Sequence, residues 1–185
     1  MNEGTNHVEN EYTTAFVGLG SNLGDRAGNL LLAVRGLMEA SFVVHKLSAI
    51  YETEPVGLAT PHKFLNMVAE IRVVNVSPSQ MMARLLRIEY LLGRMDKSIK
   101  RPRTADLDIL FFGDMTIDTE FLTVPHPRLH LRRFVLTPLA EIAPNFMHPL
   151  LNVEVAEILA GLDDPSEVKR WNPNASLSHE LAANS

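Results

Sequence analysis

The chain has 185 residues, of which 46% are hydrophobic and 21% charged, with a formal net charge of −5. That balance is ordinary for a globular protein, and the length suffices for one domain with a real core. The acidic balance argues against broad nucleic-acid binding, and the lack of cysteine excludes disulfides, thiolate catalysis and zinc–thiolate sites.

Residues 1–12 are polar and acidic and are expected to form a disordered tail, without the basic and apolar regions of a signal peptide. "TTAFVGLGS" (13–21) is a β-branched run stopped by glycines, hence a strand and then a loop. "DRAGNLLLAVRGLMEA" (25–40) carries apolar residues at helical spacing behind a capping Asp25. "FVVHKLSAIYETE" (42–54) reads as one long strand and "FLNMVAEIRVV" (64–74) as another. "SPSQMMARLLRIEYLLGR" (77–94) is a helix with Ser77 as cap, Pro78 at its first position, and Met81, Leu85, Ile88 and Leu92 along one face. "ADLDILFFG" (105–113) is a strand, and "MTIDTEFLTV" is expected to return beside it as a hairpin. "RRFVLTPLAEIAP" and "NVEVAEILAGL" read as helices, and 172–185 as a polar tail. The expected domain spans 13–171. No run is long enough to cross a membrane, so a cytoplasmic protein without membrane or nucleic-acid partners is expected.

The order β-α-β-β-α-β is the ferredoxin-like pattern: an antiparallel sheet with two helices on one face, plus an additional C-terminal strand and helices. The opposite face is then expected to be free for a ligand.

Four stretches carry candidate chemistry. "GLGSNLGDR" (18–26) misses the dinucleotide fingerprint by one residue and lacks a Walker lysine, so a plain tight turn explains it equally well. In "YETEPVG" and "FLN", Phe64 and Asn66 share a strand face and could stack on and hydrogen-bond a flat heteroaromatic ring. Taken alone, the pair is more simply core and turn. In "RPRTADLDIL", Asp106 and Asp108 point to one face while Leu107 and Ile109 point to the other. Two neighbouring carboxylates repel unless a cation lies between them, and a hard divalent ion meets that need. Arg94, Arg101 and Arg103 could then meet substrate phosphates. The bland alternative is a solvated face with an arginine salt bridge. In "VPHPRLHLRRFVLTPL", His126 and Arg132 or Arg133 could reach a phosphate, or His126 could be a turn residue between prolines. Glu89, on the second helix, is expected to be solvated unless its end of the helix faces the site.

Together the four motifs resemble, in order and approximate spacing, those of the 6-hydroxymethyl-7,8-dihydropterin pyrophosphokinases of folate biosynthesis, over residues 14–150. The resemblance implies a ferredoxin-like α+β fold and transfer of pyrophosphate from ATP to the pterin, with AMP released. It implies two Mg²⁺ ions held by Asp106 and Asp108, and a pterin seat formed by Thr53, Pro55, Val56, Phe64, Asn66 and Phe134. It assigns catalytic roles to Arg94 and Arg103, and ATP contacts to Glu89, Lys97, Ile109, Thr123, His126 and Arg132. The small-molecule substrates are the expected partners and a monomer the expected state. The chain departs from the family pattern in a shorter 95–101 loop, with Lys100 and Arg101 where a Trp-Gly pair is common. A non-catalytic ferredoxin-like binding module is the main alternative, and transfer of a single phosphoryl group is a second.

Overall fold

The computed structural model describes residues 12–55, 62–93 and 103–173. Strands β1 (Thr13–Ser21), β4 (Phe64–Val73) and β5 (Asp106–Phe112) form the centre of an antiparallel sheet, in the order β5-β1-β4. Strands β2 (Val43–Leu47) and β3 (Tyr51–Thr53) both pair with β4, toward its two ends. The long strand expected over 42–54 is therefore broken. The break falls at Ser48, whose hydroxyl accepts from Val68 N at 2.9 Å in place of a plain backbone ladder.

Helix α1 (Arg26–Glu39) begins where Asp25 accepts from Gly28 N at 2.9 Å. Helix α2 (Pro78–Leu91) begins with a reciprocal box: Gln80 N donates to Ser77 Oγ at 3.2 Å, and Ser77 N to Gln80 Oε1 at 2.9 Å. Both helices cover one sheet face. Leu30, Ala33 and Leu37 of α1 and Met81, Leu85 and Ile88 of α2 meet Ala15, Val17, Leu19, Leu107 and Ile109 in one core. The helices approach closely: a Cβ at Gly36 would lie 2.8 Å from Ile88 Cγ2.

The opposite face is not wholly free, contrary to expectation. Helices α3 (Arg133–Ile142) and α4 (Val155–Ala160) cover part of it, and Leu136, Leu139 and Val155 pack with Phe16, Val68, Leu110 and Phe111 in a second core. Amphipathic α3 needs a partner, and the first face is already occupied. The open remainder of this face is the cleft described below. Residues 115–124 do not return as a hairpin beside β5. Instead β6 (Ile117–Asp118) and β7 (Thr123–Val124) pair in a small sheet of their own. A further strand, β8 (Val168–Arg170), pairs with β3.

One irregularity shapes the site. The β1–β5 register shifts between Phe16 and Val17, leaving Leu110 as the extra residue of a bulge. Leu110 and Phe111 consequently both turn toward the second core. The Leu110 carbonyl accepts from His126 N at 3.0 Å, which ties the 123–128 segment to β5.

Candidate functional site

The cleft floor is built by strand register. Gly20 of β1 lies between Asp106 of β5 and Asn66 of β4, and Gly18 lies between Asp108 and Val68. Directly paired residues in an antiparallel sheet point to the same face, so Asp106, Asp108 and Asn66 rise from one surface. The glycines keep that surface open: a Cβ on Gly20 would lie 3.1 Å from Asn66 Oδ1 and 3.9 Å from Asp106 Cβ. Both glycines lie within β1, not in the loop expected after it, and they belong to the site.

On one side stand Thr53 and Phe64, paired across β3 and β4. Phe64 belongs to neither core and is half-buried. Asn66 sits within a strand rather than at a turn, and its Nδ2 donates to Thr53 Oγ1 at 2.8 Å. The bland alternatives for this pair therefore do not describe it. Phe134 and Val135, from the start of α3, line the same cleft, with Arg132 and His126. Pro55 closes the described part of the β3 end.

Arg103 is fixed through its backbone. Its N–H donates to Asn22 Oδ1 at 2.8 Å and its carbonyl accepts from Asn22 N at 3.1 Å. Its guanidinium pairs with Asp106 Oδ2 at 2.9 Å and lies 5.3 Å from the Phe64 ring centroid. Arg132 similarly lies 5.5 Å from the Phe134 ring centroid. Burial, and next the Arg128 charge, hold its guanidinium below the usual value, while Asp108 and Asp106 oppose the shift. Burial also lowers the His126 pKa against the pull of Asp108. His126 Nδ1 accepts from Arg128 N at 3.2 Å, so the neutral ring carries its proton on Nε2 and can donate it.

Asp108 and His126 also line an adjoining hollow with Ile109, Thr123, Met82 and Phe121. Glu89 is placed elsewhere. It is not solvated but 2% exposed, and its Oε1 accepts from Leu107 N at 2.7 Å on the edge strand β5. Neither hollow includes it. Glu89→Ala should cost about 1–3 kcal/mol, because it removes a charge-assisted acceptor from a buried N–H, and Glu89→Gln should cost less. Urea melts of the ligand-free protein check this; unchanged stability with weakened ATP binding would put Glu89 at the nucleotide. Val56, Arg94 and Lys97 lie outside the described residues, as does Arg101.

The model of the 7,8-dihydro-6-hydroxymethylpterin-pyrophosphokinase family matches residues 16–144. The chain belongs to this pyrophosphokinase family. A Bacillus subtilis relative named 2-amino-4-hydroxy-6-hydroxymethyldihydropteridine pyrophosphokinase is 49% identical over 129 residues, covering 69% of this chain and 77% of the relative. An Aquifex aeolicus pyrophosphokinase of the same name is 36% identical over 144 residues, covering 78% and 89%. Some family members are parts of larger proteins. The Plasmodium falciparum HPPK-DHPS wild-type crystal structure with SDX-DHP superposes at a TM-score of 0.66 with 17% identity. That match covers 83% of this chain and 45% of the Plasmodium chain, and it speaks to the fold alone. As a member, the chain is a pyrophosphokinase that transfers pyrophosphate to hydroxymethyldihydropterin in folate biosynthesis.

Proposed function

We propose that the cleft binds ATP and 6-hydroxymethyl-7,8-dihydropterin and transfers the β,γ-pyrophosphoryl group to the pterin hydroxymethyl oxygen. The supporting observation is that one open cleft brings Asp106 and Asp108 together with Phe64, Asn66, Arg132 and His126. In the reaction a bond forms between that oxygen and the β-phosphorus. The bond from the β-phosphorus to the bridging oxygen of the α-phosphate breaks, its electron pair leaves with AMP, and the hydroxyl proton is released. The fold assigned to this reading is ferredoxin-like, supported by the order β5-β1-β4 with β2 and β3 beyond it.

The donor set suits Mg²⁺. Two carboxylates are hard oxygen ligands, and Gly18 and Gly20, their partners across the β1–β5 pairing, add no side chain of their own to the floor. Among the described residues no three His, Asp or Glu side chains are placed to hold one metal ion together, so water and phosphate oxygens would complete the shell. Two Mg²⁺ ions held by Asp106 and Asp108 would neutralise charge on the triphosphate when bound. The chain's own groups do the rest. Arg103, together with Arg94, draws the phosphates in and excludes water, which would otherwise hydrolyse ATP. His126 donates from Nε2, and Arg132 supplies a desolvated charge on the nucleotide side. Phe64 and Phe134 present aromatic faces for the pterin, and Asn66, oriented by Thr53, reads its edge.

Phe64→Ala and Phe134→Ala should weaken pterin binding about five- to tenfold or more, since stacking contributes on the order of 1 kcal/mol beyond buried area. Binding of an ATP analogue should stay near wild type. Calorimetric titration of each ligand into the folded variants checks this; equal losses for both ligands would mark the rings as structural only.

A further inference from the structure

The connection from β1 to α1, "GSNLGDR", holds groups to which the proposed reaction gives no task. Its shape is internally fixed. Asp25 caps Gly28 N, and Asn29 Nδ2 donates to Leu23 O at 2.8 Å and to Ser21 Oγ at 3.3 Å. From this braced turn Arg26, the first residue of α1, reaches across to the β3–β4 edge. Its Nη2 donates to Glu52 Oε1 at 2.9 Å and its Nη1 to Lys63 O at 2.9 Å. Glu52 immediately precedes Thr53, and Lys63 immediately precedes Phe64. Thr53 and Phe64 are Cα partners and both line the cleft, whereas Arg26 does not.

One guanidinium thus holds a side chain on β3 and a carbonyl at the start of β4, on either side of the pair that forms one cleft wall. The Arg26 and Glu52 side chains are 27% and 29% exposed, so solvent screens this ion pair only in part. The Lys63–Glu54 pair, at 2.8 Å, spans the same end, but its side chains are 49% and 60% exposed, and such open pairs contribute little. Arg26, with its fork and two acceptors on different strands, is the stronger brace.

We propose that Arg26 is a positioning residue for the pterin: it fixes the separation and tilt of Thr53 and Phe64 and so sets pterin affinity without touching the substrate. This rests on the pterin reading above. Arg26 does not line the cleft, and its partners are Glu52 and Lys63 at the β3–β4 edge, so the phosphate side should not register its loss.

The test is steady-state kinetics on the full chain with ATP, Mg²⁺ and the hydroxymethyl dihydropterin, for wild type, Arg26→Ala, Arg26→Glu, and Arg26→Glu combined with Glu52→Arg. Arg26→Ala should raise the pterin KM about tenfold, with kcat and the ATP KM within about twofold of wild type. Arg26→Glu should be worse, because it sets two carboxylates together. Adding Glu52→Arg should recover part of the pterin KM by restoring the pair in reverse. A variant with wild-type pterin KM, or one in which kcat and both KM values move together with the melting temperature, overturns the positioning role. The wild-type arm tests the reading separately: if the wild type does not turn over the pterin at all, the substrate assignment fails, and the positioning role with it.

Discussion

Asp106→Asn and Asp108→Asn should each lower turnover on the order of 100- to 1,000-fold at ordinary Mg²⁺ concentrations, while leaving the protein folded. The two variants should differ in ligand-free stability. Asp106 is paired with Arg103 at 2.9 Å, and the two side chains are 17% and 21% exposed. Replacing it with asparagine removes a largely desolvated ion pair and should cost about 1–3 kcal/mol, less than for a fully buried pair. Asp108→Asn relieves repulsion between two carboxylates on one strand face but also gives up a charge that attracts Arg132, so the two effects offset and its ligand-free melting temperature should stay near wild type. Melting curves without ligand, and then with Mg²⁺ and a non-hydrolysable ATP analogue, separate these effects. The wild type should show a large ligand-induced rise, because the ligand binds only the folded state. That rise should shrink in both variants. Equal ligand-induced shifts in all three proteins would remove the metal assignment.

Arg103→Ala should lower kcat on the order of 100-fold, with a much smaller effect on ATP binding. Removing a preorganised charge aimed at the reacting phosphates costs about 3 kcal/mol in the transition state. Preorganisation is visible in the Asn22 clip, which fixes the Arg103 backbone on both its N–H and its carbonyl. Arg103→Lys should recover only part of the loss, since an ammonium cannot present a planar fork to Asp106 and a phosphate together. Arg94→Ala is proposed to follow the same pattern. Rapid-quench single-turnover kinetics check both; near-normal turnover in either variant would make that arginine a solvated charge.

Local signals carried well where one side chain reports one environment. Asp25 and Ser77 mark the starts of α1 and α2 because a cap needs only the three residues that follow. Asp106 and Asp108 are visible as an alternation because each strand position carries a side chain that shows its face. Gly18 and Gly20 show no face, so their strand looked like its own end, although their lack of a Cβ is what opens the cleft floor. Glu89 escaped for a different reason. Its partner, Leu107 N, lies 18 positions away on an edge strand, and the helical pattern around a glutamate gives no hint of an outward-facing N–H in need of an acceptor. The break at Ser48 and the added β8 likewise depend on contacts with distant strands, Val68 for one and β3 for the other. The task of Arg26 is likewise invisible locally, because its two acceptors come from β3 and from Lys63, just before β4.

Pyrophosphoryl transfer is tested most directly by identifying the products of a reaction of the full chain with ATP, Mg²⁺ and 6-hydroxymethyl-7,8-dihydropterin. Chromatography with mass detection should show AMP and the pterin diphosphate rising together in equal amounts, and neither forming when the pterin or Mg²⁺ is omitted. ADP with a pterin monophosphate, or nucleotide breakdown that proceeds equally without pterin, would contradict it.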